Sequence, residues 1–223
     1  MGILDKAKKE NILIEECGEE MVTLIPEDFI LDPKYFEWGF SETPEMKLRG
    51  KIVERLLAAK ALLPSGWNFK IWDGFRTLTT QKLVYQDYWD RLKEEHSDWS
   101  DEKLQAQVEI FVSPASHDQA FPSPHNTGGT VDLTLIDENG HEVDMGTGFD
   151  EFKEASYSDY FIDSPEGTQE YKWHQNRLLL RNVLVEAGFT NYWDEWWHFS
   201  YGTQEWAQQS GKEKAFYGST ELC

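Results

Sequence analysis

His125 and Asp132 place an imidazole and a carboxylate, two side chains that bind metal ions, within the short stretch Ser123–Asp132. Gly128 and Gly129 lie between them and let the backbone curl, so both side chains can face one point. Asp132 stands between two apolar residues of a predicted strand, where a carboxylate either faces solvent or needs a strong partner inside. The stretch alone therefore permits two interpretations, a pair of metal ligands or a solvent-facing Asp beside a loop His.

A second group of reactive side chains is the run Glu195–Tyr201, where Glu195 and His198 lie among aromatic residues. Burial there is costly for an acid and an imidazole unless they are paired or bind a metal. A neutral imidazole binds zinc, and a carboxylate beside the metal can act as a general base. A spacing of three points the two side chains to opposite faces of a regular strand, so a shared site requires Glu195 to lie in a turn or bulge. A satisfied core histidine is the alternative.

Arg76 follows a predicted strand and the turn at Asp73-Gly74. Its guanidinium could stabilise a developing oxyanion or bind a carboxylate, although a surface ion pair with one of the 41 acidic residues is also open. His125, Asp132 and His198 together supply three protein ligands. They leave the fourth tetrahedral position of a zinc ion for water, as in catalytic zinc sites.

The elements that must position these residues follow from hydrophobic periodicity and capping signals. Strands are predicted at Met21–Ile25, Trp67–Trp72 and Thr130–Ile136, with a hairpin to His141–Met145, and Phe189–Tyr201 closes the sheet. Helices are predicted from Thr43-Pro44 to about Pro64, from Thr79 or Thr80 to about Lys93, from Ser100 towards Phe111, and over Glu170–Ala187. This order predicts an α+β fold, a single domain over residues 1–223 with a central antiparallel sheet and helices packed against it.

Composition and charge limit the classes of partner. The chain has 223 residues, 39% of them hydrophobic, with ten Trp, which indicates a globular core. A net charge of −20 repels phosphate backbones and anionic lipids, so we expect no nucleic-acid or membrane partner. The same acidity also suits solubility alone.

Location is predicted from the N-terminal segment and the cysteines. Met1–Glu10 is charged and has no apolar signal-peptide core, and no apolar run in the sequence approaches the roughly 20 residues of a membrane span. Cys17 and Cys223 make no disulfide framework. The sequence therefore predicts a cytoplasmic protein, and it leaves the oligomeric state open.

The reactive segments together resemble the zinc D-alanyl-D-alanine dipeptidases of the VanX type and the wider D,D-peptidase family, whose metal architecture hedgehog signalling domains share. The family pattern Ser-x-His-x-x-Gly-x-Ala-x-Asp matches Ser123, His125, Gly128, Thr130 and Asp132. Thr130 replaces the usual Ala. The family's Glu-x-x-His element matches Glu195 and His198, and its Arg after an aromatic–Asp strand end matches Arg76.

Further stretches favour the dipeptidase branch. Asp144–Asp150 is similar to its Met-Gly-x-x-Phe-Asp segment, and Asn176–Arg181 is similar to its helix before the catalytic strand. The resemblance extends from about Tyr35 to Trp206. One stretch differs, because Gly39–Glu42 follows Tyr35 where relatives often continue with Asn-Phe-Thr-Gly.

The resemblance implies a hedgehog/D,D-peptidase-like fold and hydrolysis of D-alanyl-D-alanine or a related small dipeptide, with one Zn²⁺ per chain. It assigns the metal ligands to His125, Asp132 and His198, the general base to Glu195, and oxyanion stabilisation to Arg76. The substrate contacts it implies are Ser123, Asp150 and Tyr35.

Two other functions stay open. A D,D-carboxypeptidase that trims peptidoglycan stem peptides would use the same zinc site, and a non-catalytic metal-binding module would share the architecture. Glu195 together with Arg76 favours an enzyme, since binding alone needs no base beside the metal.

Overall fold

The computed structural model describes residues 12–220. Its strands are β1 (Leu13–Ile14), β2 (Met21–Thr23), β3 (Ile30–Leu31), β4 (Lys47–Arg49), β5 (Asn68–Asp73), β6 (Thr130–Ile136), β7 (Thr190–Asn191), β8 (His198–Ser200) and β9 (Lys214–Ala215). Its α-helices are α1 (Lys34–Glu37), α2 (Gly50–Lys60), α3 (Leu78–Glu95), α4 (Asp101–Phe111), α5 (Gln169–Glu186) and α6 (Gln204–Gln209). The charged segment Met1–Glu10 and Cys223 lie outside the described residues.

The central sheet has five strands in the order β3-β5-β6-β8-β7. β5, β6, β8 and β7 pair antiparallel, while β3 joins the edge of β5 in parallel. β1 pairs with β9 and β2 with β4 in two small two-stranded sheets. The predicted α+β class with a central antiparallel sheet is confirmed, and the parallel edge strand is an addition to it.

Every residue of β6 is buried, so this central strand is covered on both faces. Side chains alternate between the two faces of a strand, and Val131, Leu133 and Leu135 belong to the main hydrophobic core. The opposite face carries Thr130, Asp132 and Thr134, which are also buried. A buried carboxylate in this row must have polar or ionic partners.

Two hydrophobic clusters hold the helices. The main core includes Ile52 and Leu56 of α2 and Leu180 and Leu184 of α5, which places these two helices on the sheet. A second cluster joins α3 and α4. No helix within residues 12–220 is long and apolar enough to cross a membrane.

Helix ends agree with the capping signals in part. Ser100 caps α4 and Thr168 caps α5, both through their side chains. The predicted end of α5 near Ala187 is confirmed, because Gly188 follows with a φ of +94° that glycine adopts readily. α3 begins earlier than predicted, because the hydroxyl of Thr77 accepts from the Thr80 amide.

One predicted helix start and one predicted strand are wrong. No helix begins at Thr43-Pro44, because Lys47–Arg49 pairs with Met21–Thr23 as a strand and α2 starts only at Gly50. The hairpin strand expected at His141–Met145 is reduced to one bridge between Ile136 and Glu142.

Candidate metal centre

Three adjacent strands bring Asp73, Asp132 and His198 side by side. Asp132 of β6 is the register partner of Asp73 in β5 and of His198 in β8. Register partners point to the same face of a sheet, so these three side chains form one row. The local backbone pairing therefore positions two of the predicted metal ligands before any side-chain contact is considered.

His125 reaches the same place from a short 3₁₀ helix, Pro124–Thr127. Gly128 ends this helix with a left-handed φ of +71°, and a Cβ there would lie 2.5 Å from the sulfur of Met21. Glycine is therefore required at the bend that lets the chain enter β6. The predicted curl between His125 and Asp132 is present.

The candidate ligand atoms form a compact triangle, which we call the ligand cluster: His125 Nε2, the Asp132 carboxylate and His198 Nδ1. His125 Nε2 lies 3.3 Å from Asp132 Oδ2 and 3.3 Å from His198 Nδ1. His198 Nδ1 lies 3.2 Å from Asp132 Oδ1. All three residues are buried, with at most 6% of their surface exposed, and all three line a cavity.

Hydrogen bonds on the outer side of each ring indicate where its proton lies. The carbonyl oxygen of Gly74 is 2.8 Å from His125 Nδ1, and it can only accept. Glu205 Oε2 is 3.3 Å from His198 Nε2. With protons on these outer nitrogens, His125 Nε2 and His198 Nδ1 carry lone pairs directed at Asp132.

The atoms of the cluster that face one another are then all acceptors. Asp132 Oδ1 has no hydrogen-bond partner among residues 12–220, an arrangement that is unfavourable for a buried carboxylate unless a cation lies between the acceptors. Two imidazole nitrogens and a carboxylate are the donor set of catalytic zinc sites, with one position left open. The residues present therefore fit a zinc ion.

Glu195 lies in the turn between β7 and β8 that a shared site requires. Its amide donates to the carbonyl of Tyr192, and the His198 amide donates to the Glu195 carbonyl. Glu195 Oε2 is 3.3 Å from His198 Nδ1, on the ring edge that faces the ligand cluster. Burial raises the pKa of Glu195, and the neighbouring His198 partly opposes the rise.

Arg76 is buried, with 6% of its surface exposed, so a surface ion pair does not describe it. Nε donates to Asp73 Oδ2 at 3.0 Å, and Nη2 donates to the Tyr35 hydroxyl at 3.1 Å. Nη2 also lies 3.5 Å from Asp132 Oδ2. The guanidinium therefore stands between the ligand cluster and Tyr35.

Tyr35 and Asp150 form a second polar group, which we call the amine pocket. The Tyr35 hydroxyl donates to Asp150 Oδ2 at 2.9 Å. Asp150 has a φ of +55°, a left-handed conformation that costs energy for a residue with a side chain. Arg177 of α5 holds its loop by donating to the carbonyls of Met145 and Tyr157. Burial raises the pKa of Asp150 well above its usual range.

Both groups open into one cavity of about 720 Å³. It is lined by every predicted site residue except Ser123. The hydroxyl of Ser123 donates instead to the carbonyl of Pro114 at 2.8 Å. The structure thus brings together seven of the eight predicted residues, while the hydroxyl of the eighth, Ser123, is bonded outside the cavity.

Three residues of the site had no role in the sequence prediction. Asp73 and Gln81 hold Arg76, and Glu205 contacts His198. Asp73 stands at the end of a predicted strand, so its register with Asp132 could have indicated it. Glu205 lies in α6, and no spacing rule links that helix to β8.

A family model described as D-Ala-D-Ala dipeptidase matches residues 47–214. A D-alanyl-D-alanine dipeptidase of Synechocystis sp. is 28% identical, over 94% of this chain and 95% of its own length. A D-alanyl-D-alanine dipeptidase of Escherichia coli is 43% identical, over 60% of this chain and 55% of its own.

A crystal structure of a mutant of the vancomycin-resistance D,D-pentapeptidase VanY in complex with Zn(II) is similar to this chain. It is 14% identical and aligns with a TM-score of 0.48, covering 92% of this chain and 96% of its own.

Proposed function

Because this chain belongs to the D-Ala-D-Ala dipeptidase family of metallopeptidases, we propose that it hydrolyses D-alanyl-D-alanine or a closely related dipeptide at the ligand cluster. The metal ligands are His125, Asp132 and His198, and one zinc ion is bound per chain. The observation that carries the proposal is the convergence of their three acceptor atoms within 3.2–3.3 Å.

Zinc in such a site supplies a Lewis acid that lowers the pKa of water to about 7 and polarises a carbonyl. Glu195 is the general base that takes the proton of the attacking water and passes it to the leaving amine. Its carboxylate lies on the Nδ1 edge of His198, beside the ligand cluster, and burial raises its pKa towards the range in which a base can also return a proton.

Arg76 stabilises the negative charge that develops on the carbonyl oxygen of the substrate. Its guanidinium is fixed by Asp73 and Gln81, so little reorganisation is needed during the reaction, which is what makes such donors effective. Its place between the ligand cluster and Tyr35 puts it beside the scissile bond of a dipeptide that spans both.

The amine pocket binds the free ammonium group of the dipeptide. Asp150 is the charged acceptor, and Tyr35 orients its carboxylate through a hydrogen bond of 2.9 Å. A buried carboxyl that lacks a cation is poorly stabilised, and an ammonium group supplies the missing charge. A role for Ser123 in substrate binding rests on the family pattern alone.

A D,D-carboxypeptidase is the second candidate, because a cavity of about 720 Å³ is in the size range that holds ligands much larger than a dipeptide. The two candidates differ in whether the free amine is required. Asp150 favours the dipeptidase, since an acylated peptide brings no charge to offset the buried carboxyl.

A substrate panel tests the proposal on the zinc-loaded protein. D-Ala-D-Ala, N-acetyl-D-Ala-D-Ala, L-Ala-L-Ala and a stem pentapeptide are compared, each with and without a chelator. We expect chelator-sensitive hydrolysis of D-Ala-D-Ala and a loss of at least about tenfold in kcat/KM on acetylation, the equivalent of 1.4 kcal/mol. Preferred hydrolysis of the acylated peptides would support the carboxypeptidase instead.

We also propose that residues 1–223 form a single domain, that the protein is cytoplasmic, and that it has no nucleic-acid or membrane partner. The acidic composition, with a net charge of −20, supports the last of these.

A further inference from the structure

A chain of hydrogen bonds lies behind His198, on the side away from the ligand cluster. The hydroxyls of Thr130 and Ser200 are 2.9 Å apart, Ser200 donates to Glu205 Oε2 at 3.1 Å, and the same oxygen is 3.3 Å from His198 Nε2. At most 6% of the surface of any of these four residues is exposed. His198 and Glu205 line the cavity, while Thr130 and Ser200 do not.

The fold brings this chain together from two strands and a helix. Thr130 and Ser200 are register partners across β6 and β8, so their side chains share one face. Thr203 caps α6 by accepting from the Trp206 amide, and this start of the helix places Glu205 against β8. The family pattern has Ala at the position of Thr130, so the first hydroxyl of the chain is a departure from that pattern.

Two buried glutamates flank the ring of His198 at equal distances but on different nitrogens. Glu195 Oε2 is 3.3 Å from Nδ1, on the edge that faces the ligand cluster. Glu205 Oε2 is 3.3 Å from Nε2, on the opposite edge. Both glutamates line the cavity, but Glu195 contacts the ring nitrogen that belongs to the ligand cluster, whereas Glu205 contacts the nitrogen that faces away from it.

We propose that Glu205, oriented by Ser200 and Thr130, is the positioning residue that holds the proton of His198 on Nε2 and thereby sets the affinity of the site for zinc. The inference rests on the metal ligands of the proposed function. A carboxylate behind a metal-bound imidazole fixes its tautomer and orientation and increases its basicity, and losing such a partner typically weakens metal binding by about 10- to 100-fold.

Zinc affinity, measured by competition with a chromogenic chelator, tests the proposal without relying on turnover. We expect Glu205→Ala to bind zinc about 10- to 100-fold more weakly. Glu205→Gln keeps an acceptor oxygen but loses the charge, so its loss is smaller. Thr130→Val, which removes one distant hydroxyl and keeps the shape, has the smallest loss in the same direction.

Gln204→Ala is the matched control. Gln204 is the neighbouring buried residue of α6, and its side chain donates to the carbonyls of Ile12 and Ala120 rather than to the site. We expect its zinc affinity to stay within about twofold of the wild type. Should Glu205→Ala fail to fold, as judged by circular dichroism, Glu205→Gln is compared with the control instead.

The proposal is overturned if the folded Glu205 variants keep wild-type zinc affinity, or if Gln204→Ala loses as much. Long-range ¹H–¹⁵N spectra of the zinc-loaded wild type give an independent readout, since a proton on Nδ1 of His198 also overturns it. If the wild-type protein binds no zinc, both this inference and the proposed function are wrong. If it binds zinc but cleaves no dipeptide, only the proposed function is contradicted.

Discussion

The ligand cluster and the amine pocket lie in one cavity but are built differently. Asp132 and His198 lie on paired strands of the central sheet. Each of the two imidazoles also forms a hydrogen bond through the nitrogen that faces away from the cluster. Tyr35 belongs to a four-residue helix and Asp150 to a loop, and these two meet through one hydrogen bond. The first region is positioned by the sheet, and the second by side chains that hold a loop.

This difference separates the reaction from its selectivity. Loops on a rigid scaffold can change without disturbing the elements that carry the chemistry. The strained backbone of Asp150, with its positive φ, shows that the loop is held in place against a local cost. Changes to the ligand cluster should therefore abolish the reaction, while changes to the amine pocket should alter which substrates are used.

The largest effect is expected for His198→Ala, which removes a ligand. Stoichiometric zinc should be lost, and hydrolysis should fall by more than about 10³-fold, a small part of a typical enzymatic rate enhancement. Metal analysis and a dipeptide assay measure both. His174→Ala is the control, because His174 is a buried histidine of α5 outside the cavity. Full zinc occupancy in His198→Ala would remove that residue from the ligand set.

Glu195→Ala should separate catalysis from metal binding within the same region. The zinc content stays at one per chain, while kcat falls by about 10²- to 10⁴-fold, the usual contribution of a general base. Single-turnover kinetics on the zinc-loaded variant gives the rate of the chemical step. A variant that remains fully active would exclude Glu195 as the base.

Asp150→Asn should affect the amine pocket only. Asn tolerates the left-handed backbone and can still accept from Tyr35, so the loop is kept while the charge is lost. A hydrogen bond to a charged group contributes about 1.5–3 kcal/mol, so kcat/KM for D-Ala-D-Ala should fall by about 10- to 100-fold. The rate for the N-acetylated dipeptide should hardly change. Equal losses for both substrates would contradict an ammonium site.

The smallest effect concerns stability. Burial raises the pKa of Asp150, so at pH values above the ordinary Asp pKa the folded protein retains a proton that the unfolded chain releases. The wild-type protein therefore loses stability as the pH rises above the ordinary pKa of Asp. Asp150→Asn lacks that proton, so its advantage in the free energy of unfolding should grow from pH 5 to pH 8, towards the order of 1 kcal/mol.

Thermal unfolding of apo protein, with the exposed Asp163→Asn as the control, measures this difference. If the advantage of Asp150→Asn shrinks as the pH rises, Asp150 is stabilised as a charged group in the apo protein. The ammonium group of a substrate would then not be needed to balance its charge.

The sequence indicated that the residues of the ligand cluster could converge, because the signals for that convergence are local. Spacing and two glycines indicated the approach of His125 to Asp132, and composition indicated β6. The odd spacing of Glu195 and His198 required a turn, which the structure contains. These features depend on residues close together in the chain or on the pairing of one strand. Composition and periodicity indicate both.

Other features depend on contacts that neither spacing nor periodicity reports. Pairing with β2 made a strand of Lys47–Arg49, although the capping signal at Thr43-Pro44 favours a helix. Glu205 contacts His198 through the turn that leads from β8 into α6, and the side chain of Ser123 turns to Pro114 although it matches the family pattern. Tertiary contacts override local preference in such places.

Anomalous diffraction at the zinc edge from crystals of the wild-type protein tests the central claim most directly. One zinc ion is expected about 2.0–2.2 Å from His125 Nε2, an Asp132 oxygen and His198 Nδ1, with a water completing the tetrahedron beside Glu195. Zinc bound at another set of residues, or a site at which Glu195 is itself a ligand, would contradict the account.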